Sequence, residues 1–407
     1  RLLAHIASSA GHQVGLTTTD GVYVNGALVQ EGDCTGYKST LQILQDKTVD
    51  FAVLECARGG LLKSGLAFDS CDVGIVTNVA EDHLGMKGIN TIEEMAFVKS
   101  VIPESVKHNG FAILNADNDY TYAMKDRVKC HVAFFSINPK SRRIREHCRN
   151  GGLAAVYKDG LVIISEGEVP ILQETVYNIP VTFDGKALFM IENVLAAMLA
   201  AWINKIDKET IIKALRSFEP DFSTTPGRMN LLKFRNFNLI IDYAHNPHGI
   251  AALGELVKKT KATQKVGIIT APGDRRELDI RSIGRVSAEI FDRIIIRVDE
   301  DTRGRKPREI IDMLNAGIRS AKKRNLAVEV IQRESDALTY ALSTAIAGSL
   351  IILMSENIRE SFQLASEFRE MNDVIVSPVS SDNMYVLRVG KNNVYEYTKR
   401  KVNAFRR

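Results

Sequence analysis

Short apolar runs recur along this chain, separated by longer stretches with helical spacing, and that alternation constrains the fold more than any other feature. A strand flanked by helices on both faces is buried on both, so such runs read as strands of a mostly parallel sheet. The candidates in the first half are Phe51 to Leu54, Val73 to Thr77, Phe111 to Leu114 and Val132 to Phe135. A helix is expected from Thr91 to Val106, where Ile92, Met95, Ala96, Lys99 and Ser100 fall a turn apart and Thr91 with Glu94 reads as a capping box. Leu2, Leu3 and Ile6 form a helical stripe ahead of Gly11, a helix end. Around residues 150–185, Ala154 to Tyr157 and Leu161 to Ile164 flank Lys158-Asp159-Gly160, a hairpin signal and hence a small antiparallel insert. Helices resume from Ala187 to Trp202 and from Lys208 to Phe218.

Pro220, Ser223, Thr224, Thr225, Pro226 and Gly227 then form the clearest linker. Beyond it the alternation starts again, with strands expected near Leu239 to Asp242, Lys265 to Thr270, Arg293 to Val298, Val328 to Ile331 and Leu350 to Met354. The fold class is therefore α/β, with two doubly wound, mostly parallel-sheet domains over 1–224 and 225–370. A tail over 371–407 has no strong period: it carries Val374, Val376 and Val379, then a basic end at Lys399, Arg400, Lys401, Arg406 and Arg407. No internal repeat is apparent.

Composition narrows the class. Across 407 residues, 53 basic and 49 acidic side chains give +4, which argues for neither nucleic acid nor a membrane as the main partner. The longest apolar stretch, Ile346 to Met354, is about half of the ~20 residues a spanning helix needs. Five cysteines, at 34, 56, 71, 130 and 148, never spaced C-x-x-C, suit a reducing, cytoplasmic setting without disulfides or zinc.

In open parallel sheets ligands bind beyond the carboxyl ends of the strands. Glu55 follows the Phe51 run, while Asn78, Asp82 and His83 follow Val73 to Thr77, so both sets are expected at one crevice, where a carboxylate and an imidazole can hold a divalent ion against phosphates. Taken singly, Glu55 also reads as a solvated strand end and His83 as a loop residue. Arg58-Gly59-Gly60 offers a guanidinium beside a backbone open to close approach, or a simple surface turn. Lys99 on spacing alone is a solvated lysine, and Asn193, mid-helix, either points at a ligand or is tolerated by context. In the second block Asp242-Tyr243-Ala244-His245-Asn246-Pro247, Gly273-Asp274-Arg275-Arg276 and Asp299-Glu300-Asp301-Thr302-Arg303-Gly304-Arg305 each end a strand. Three charged loops at the carboxyl edge of one sheet mark a functional crevice.

These residues resemble the Mur ligases, and within them the Mur-ligase-like half of cyanophycin synthetases. The resemblance is carried by Thr17-Thr18-Thr19-Asp20-Gly21, Leu54-Glu55-Cys56-Ala57-Arg58-Gly59-Gly60, Asn78-Val79-Ala80-Glu81-Asp82-His83-Leu84-Gly85, Pro226-Gly227-Arg228-Met229-Asn230, Asp242 to Pro247 and Asp301 to Arg305, from residue 1 to about 370. It implies a central ATPase domain over 1–224, a Rossmann-like C-terminal domain over 225–370, and an ATP-dependent amide ligase acting through an acyl phosphate with Mg2+. Carried over by motif, Glu55, His83 and a carbamylated Lys99 are the catalytic and metal residues. Asn193, Arg228, Asp242, His245, Asn246, Asp274 and Arg275 are nucleotide contacts, and Arg58, Gly59, Asp301, Thr302 and Arg303 bind the acceptor or amino acid.

The implied substrates are ATP, arginine and an aspartate-containing polymer, in a homo-oligomer without nucleic-acid or membrane partners, and Asp299, Glu300 and Asp301 suit a guanidinium. The family's phosphate loop, G-x-x-x-x-G-K-[ST], is absent. The expectation is a piece that begins just after that loop and is inactive without it. Two other readings stay open: a folylpolyglutamate or cell-wall type amino-acid ligase, and a catalytically silent module for polymer binding or oligomerisation.

Overall fold

The apolar runs become strands, and contacts divide the chain into two units, 1–220 with 252–260 and 221–251 with 261–407. The computed structural model describes residues 1–371 except 82, 83, 86, 87, 322 and 324, with the backbone alone of 372, 375–378, 384–389 and 393–398.

The first unit opens with α1 (Leu2–Ser9), β1 (Val14–Thr17), β2 (Gly21–Val24), β3 (Ala27–Glu31), α2 (Tyr37–Gln45), β4 (Phe51–Leu54) and α3 (Arg58–Ser64). Its strands form a four-stranded sheet in the order β3-β2-β1-β4, with β1 and β4 parallel and the other pairs antiparallel. All four residues of β1 are buried, so it shows no period-two alternation and escapes a periodicity reading. The β2–β3 turn at Asn25-Gly26, both at positive φ, is a hairpin signal that the sequence does carry.

There follow β5 (Cys71–Val76), α4 (Ile92–Glu104), β6 (Val106–Asn115), α5 (Asp119–Ala123), β7 (His131–Ser136), α6 (Arg142–Arg149), β8 (Leu153–Lys158), β9 (Leu161–Glu166), β10 (Val169–Thr175), α7 (Leu188–Ile203) and α8 (Lys208–Ser217). A six-stranded sheet runs β10-β9-β8-β7-β6-β5, parallel from β5 to β8 and antiparallel beyond. The antiparallel stretch expected at 150–185 is thus continuous with the parallel sheet, turning at Asp159 and Gly160 with φ of +50° and +78°. One expectation is corrected: β4 and β5 belong to different sheets, so Glu55 and Asn78 do not end neighbouring strands of one sheet.

Alternation along the parallel strands assigns two cores. Ile113, Phe135, Ala155 and Ile164 pack with Leu195, Met198 and Leu199 of α7 and Ile6 of α1. Ala112, Leu114, Phe134 and Ala154, one residue out of step, pack with Met95 and Val98 of α4 and Ile144 of α6. Both faces are therefore covered, as a parallel sheet requires. The capping box at Thr91 and Glu94 is formed and starts α4 at Ile92.

The second unit contains β11 (Asn230–Lys233), β12 (Asn238–Asp242), α9 (Pro247–Lys259), whose later residues group with the first unit, β13 (Lys265–Ile269), α10 (Glu277–Ile290), β14 (Arg293–Ile296), α11 (Pro307–Ser320), β15 (Ala327–Val330), α12 (Glu334–Ser343), β16 (Leu350–Met354) and α13 (Ile358–Asn372). Its sheet order is β11-β12-β16-β13-β14-β15, parallel except for β11. Leu239, Ile241, Val266, Ile268, Ile351 and Leu353 pack on Ala337, Leu338 and Ala341 of α12 and Ala365 of α13. The tail forms a three-stranded antiparallel sheet of β17 (Ile375–Pro378), β18 (Met384–Val389) and β19 (Asn393–Thr398). Val374, Val379 and the basic residues from Lys399 onward lie outside the described residues. Among the described residues no helix is long and apolar enough to cross a membrane.

The helices α10 and α11 cross so closely that a Cβ at Gly317 would overlap the carbonyl oxygen of Arg281, and one at Gly284 that of Leu314. Backbone cannot yield as a side chain does. Gly317→Ala is expected to destabilise the second unit by about 1–3 kcal/mol, lowering its melting temperature by about 2–4 °C per kcal/mol and raising amide exchange in α10 and α11.

Candidate active site

At the end of β1, Thr17 anchors Glu55: the Glu55 amide lies 3.2 Å from both the carbonyl and hydroxyl oxygens of Thr17. This continues the β1–β4 pairing by one residue and leaves the Glu55 side chain exposed at the strand end. Next to it, Asp20 accepts the Thr18 hydroxyl at 2.7 Å, the Tyr23 hydroxyl and the Arg1 guanidinium. Burial works to raise the Asp20 carboxyl, but hydrogen bonds from Arg1, Tyr23 and Thr18 hold it below its ordinary value.

Arg58 is the first residue of α3, with Gly59 after it, both half-buried. The backbone freedom expected of this pair of glycines is spent internally at Gly60, where a Cβ would lie 2.9 Å from the Thr35 carbonyl oxygen and 3.0 Å from the Gly36 Cα.

The loop after β5 is held from beneath. Three consecutive carbonyls, of Thr77, Asn78 and Val79, accept from Asn115 Nδ2 at 2.9 Å, Lys99 Nζ at 3.0 Å and Asn118 Nδ2 at 2.9 Å. The donors come from β6, α4 and the cap of α5, so a loop with no ladder of its own is fixed by side chains. Lys99 is half-buried and lies under the same loop that leads to Asp82 and His83, which lie outside the described residues. Asn193 is exposed on α7, with Nδ2 at 3.7 Å from Met190 Sδ. Its neighbour Glu192 carries the stronger signal: burial raises its carboxyl, a hydrogen bond from Asn115 opposes this, and the Asp117 charge adds to it.

Among the described residues no group of three or more His, Cys, Asp or Glu side chains could hold a metal. One exposed carboxylate beside threonine hydroxyls does fit magnesium, a hard ion that keeps several waters and takes one or two carboxylates with substrate phosphates.

In the second unit the carboxyl edge of the sheet gathers the other candidates. Asp242 ends β12 and accepts the Met229 amide at 2.9 Å and the Ala244 amide at 2.8 Å. Burial raises its carboxyl against the Arg228 charge and these two amides. Arg228 is exposed, its guanidinium 5.0 Å over the Tyr243 ring. His245 has Nδ1 at 2.9 Å from the Tyr243 carbonyl, and Asn246 accepts the Gly249 amide at 2.7 Å, capping α9 ahead of Pro247.

The loops after β13 and β14 interlock. Gly273 abuts the Thr302 carbonyl, Asp274 pairs with Arg303 at 3.1 Å, and Arg303 sits at φ +49° with its amide on Asp301 at 2.8 Å. Arg275 is 5 % exposed. The structure therefore joins Asp274, expected at the nucleotide, directly to Arg303, expected at the amino acid.

Three residues escape the sequence reading. Arg297, 1 % exposed, pairs with Asp299 at 2.7 Å and Glu334 at 2.9 Å and donates to the Met354 carbonyl at 2.8 Å. Glu356 stands 4.0 Å away and accepts the Glu300 amide at 3.0 Å. Burial first, then the Asp299 charge, hold the Glu356 carboxyl above its ordinary value. The available signal is an arginine closing the run Ile294-Ile295-Ile296, since a charge in an apolar strand has to be paired. Beside this cluster lies a cavity of about 190 Å³ whose lining includes Asp299, Glu300, Glu334, Glu360 and one cation, Arg333.

Two family models match the chain: the Mur ligase middle domain over residues 1–201 and the Mur ligase glutamate ligase domain over 227–357. Cyanophycin synthetase of Geminocystis herdmanii is 46 % identical over 368 residues, covering 90 % of this chain, and that of Synechocystis sp. 47 % identical over 364, covering 89 %. The chain spans 42 % of the length of each. A UDP-N-acetylmuramoyl-L-alanyl-D-glutamate–2,6-diaminopimelate ligase of Caldanaerobacter subterraneus is 27 % identical, with 90 % of this chain and 71 % of the relative covered. In fold, the chain is similar to a bifunctional folylpolyglutamate synthase/dihydrofolate synthase from Yersinia pestis (TM-score 0.66, 18 % identity, 90 % and 85 % of the two chains covered). It is also similar to MurF from Acinetobacter baumannii (TM-score 0.62, 17 % identity, 91 % and 73 % covered). With both ligase domains matched in order along two α/β units, the chain belongs to the Mur ligase family.

Proposed function

We propose that this chain is the part of an ATP-dependent amide ligase that joins the α-amine of arginine to side-chain carboxylates of an aspartate-containing polymer. The observation that carries the reading is its 46–47 % identity, across nine-tenths of its length, to proteins named cyanophycin synthetase. The acid-lined cavity supports the choice of arginine. Arg297 is faced by Asp299, Glu334 and Glu356, and with Glu300 and Glu360 the carboxylates around the cavity outnumber its two guanidinium groups, Arg297 and the lining Arg333. A planar fork of donors suits such a site.

In this reading a carboxylate oxygen of the acceptor attacks the γ-phosphorus of ATP, ADP leaves, and the acyl phosphate is attacked by the neutral α-amine. Phosphate departs from the tetrahedral intermediate as the nitrogen loses its proton. The ligase supplies positioning and charge neutralisation rather than a nucleophile of its own. Glu55, His83 and a carbamylated Lys99 are proposed to hold Mg2+, which when bound neutralises phosphate oxygens. Arg228, Asp242, His245 and Asn246, with Asn193, are proposed contacts of the nucleotide, and Arg275 and Asp274 of its phosphate end. Arg58, Gly59 and the Asp301, Thr302 and Arg303 turn are proposed to orient acceptor and amino acid.

Two outcomes follow for the full-length protein. Lys99→Ala is expected to lower ligation by about 10²–10³-fold, and millimolar formate or acetate to restore part of it by standing in for the carbamate. If the lysine acts only by holding the Asn78 carbonyl, no short acid will restore activity.

The raised Glu356 carboxyl sets the second. Glu356 accepts the amide of Glu300, which lines the cavity, and adds negative charge beside it only once ionised, so the KM for arginine should fall as pH rises through its elevated range, while the KM for ATP stays level. Glu356→Gln should abolish that pH limb and raise the arginine KM about tenfold or more at neutral pH. A pH profile identical in the variant would remove the cavity from the account.

A further inference from the structure

Positive charge is concentrated along one stretch of the first unit. Residues 125–149 hold eight lysines and arginines against Asp126 and Glu146, a net of +6, although the whole chain is only +4. The strip centres on α6. Arg143 turns inward as an anchor, donating to the Ala116 carbonyl at 2.8 Å and Asp119 at 2.6 Å with its guanidinium 4.3 Å over the Tyr122 ring. Lys125 lies over the same ring at 5.2 Å, which sets the turn after α5 beside α6.

Ile144 is buried under the helix, while Arg142, Arg145, Glu146 and Arg149 are exposed. Arg142 pairs with Glu146 one turn on, and Arg145 and Arg149 make no ion pair among the described residues. Like charges a turn apart on a helix are destabilising. The helix keeps them without a neutralising partner.

We propose that this face of α6 is a docking track for the acidic acceptor polymer, gripping aspartate carboxylates at a distance from the bond being made. The inference rests on the ligase reading above for the identity of the acceptor. The spacing fits: Arg145 and Arg149 are ~6 Å apart along the helix axis, and same-side residues of an extended polypeptide recur every ~6.6 Å. Guanidinium forks match carboxylates in pairs. A nucleic acid would also want aromatic faces to stack on, whereas Tyr122 is already covered by two cations.

The test titrates labelled poly-L-aspartate into the full-length protein and into the triple variant Arg142→Glu, Arg145→Glu, Arg149→Glu, whose changes are all at exposed positions. Binding is expected to weaken by about tenfold or more. The KM for a long aspartate polymer should rise in step, while those for arginine and for a single-site aspartyl acceptor do not. The triple lysine variant should keep part of the binding. Unchanged polymer affinity in the glutamate variant, or tighter binding of an RNA of equal charge than of poly-L-aspartate to the wild type, overturns the proposal. Absence of arginine-dependent ligation would count against the ligase reading alone, because loss of polymer binding in the variant would still support the track.

Discussion

The second unit depends on one buried guanidinium. Arg297 is almost wholly excluded from water, and a lone charge there would cost several kcal/mol. Its neutralisation draws Asp299 from its own strand end, Glu334 from the start of α12 and the Met354 carbonyl from the end of β16. Glu334 in turn accepts the Ser361 hydroxyl at 2.6 Å and the Glu356 amide at 2.9 Å. Three stretches distant in sequence, 297–299, 334 and 354–361, are thereby fixed around one cation, and the cavity beside them is left with more carboxylates than positive charge. The same interaction that closes the carboxyl edge of the sheet shapes its chemical appetite.

The first unit solves a different problem. Its loop after β5 leaves the sheet with carbonyls that no ladder satisfies, and Asn115, Lys99 and Asn118 take one each. Lys99 is consequently a structural donor as well as a proposed site of carbamylation. Conversion of its ammonium to a carbamate would remove the positive charge, leave one N–H for the Asn78 carbonyl and add a carboxylate beside it, so modification and loop position are coupled at that atom.

What could be read from the sequence was local. The capping box of Thr91 and Glu94, the hairpin turn at Asp159-Gly160 and the buried strand Leu350–Met354 depend on neighbours in the chain, and they formed as their residues dictate. The charged loops after β12, β13 and β14 were legible because a parallel sheet brings all its carboxyl ends to one edge. The partners of Arg297 were not, because Glu334 and Glu356 lie at helix and loop positions where a carboxylate ordinarily faces water. Nor was the use of Gly60, whose missing Cβ accommodates the backbone of Thr35 and Gly36, far off in sequence. The fully buried β1 was equally silent, and so was the separation of β4 from β5, since pairing partners leave no mark on the sequence of a short strand.

The cyanophycin-type reading turns on whether the cation-deficient cavity admits a guanidinium amino acid. Phosphate release by the full-length protein, with ATP, magnesium and an aspartate-rich acceptor, measured across arginine, lysine, glutamate and diaminopimelate, is the direct measurement. Turnover is expected to require arginine, with neither the acidic nor the diamino acids replacing it. Release that proceeds without arginine, or that glutamate supports equally well, would contradict it.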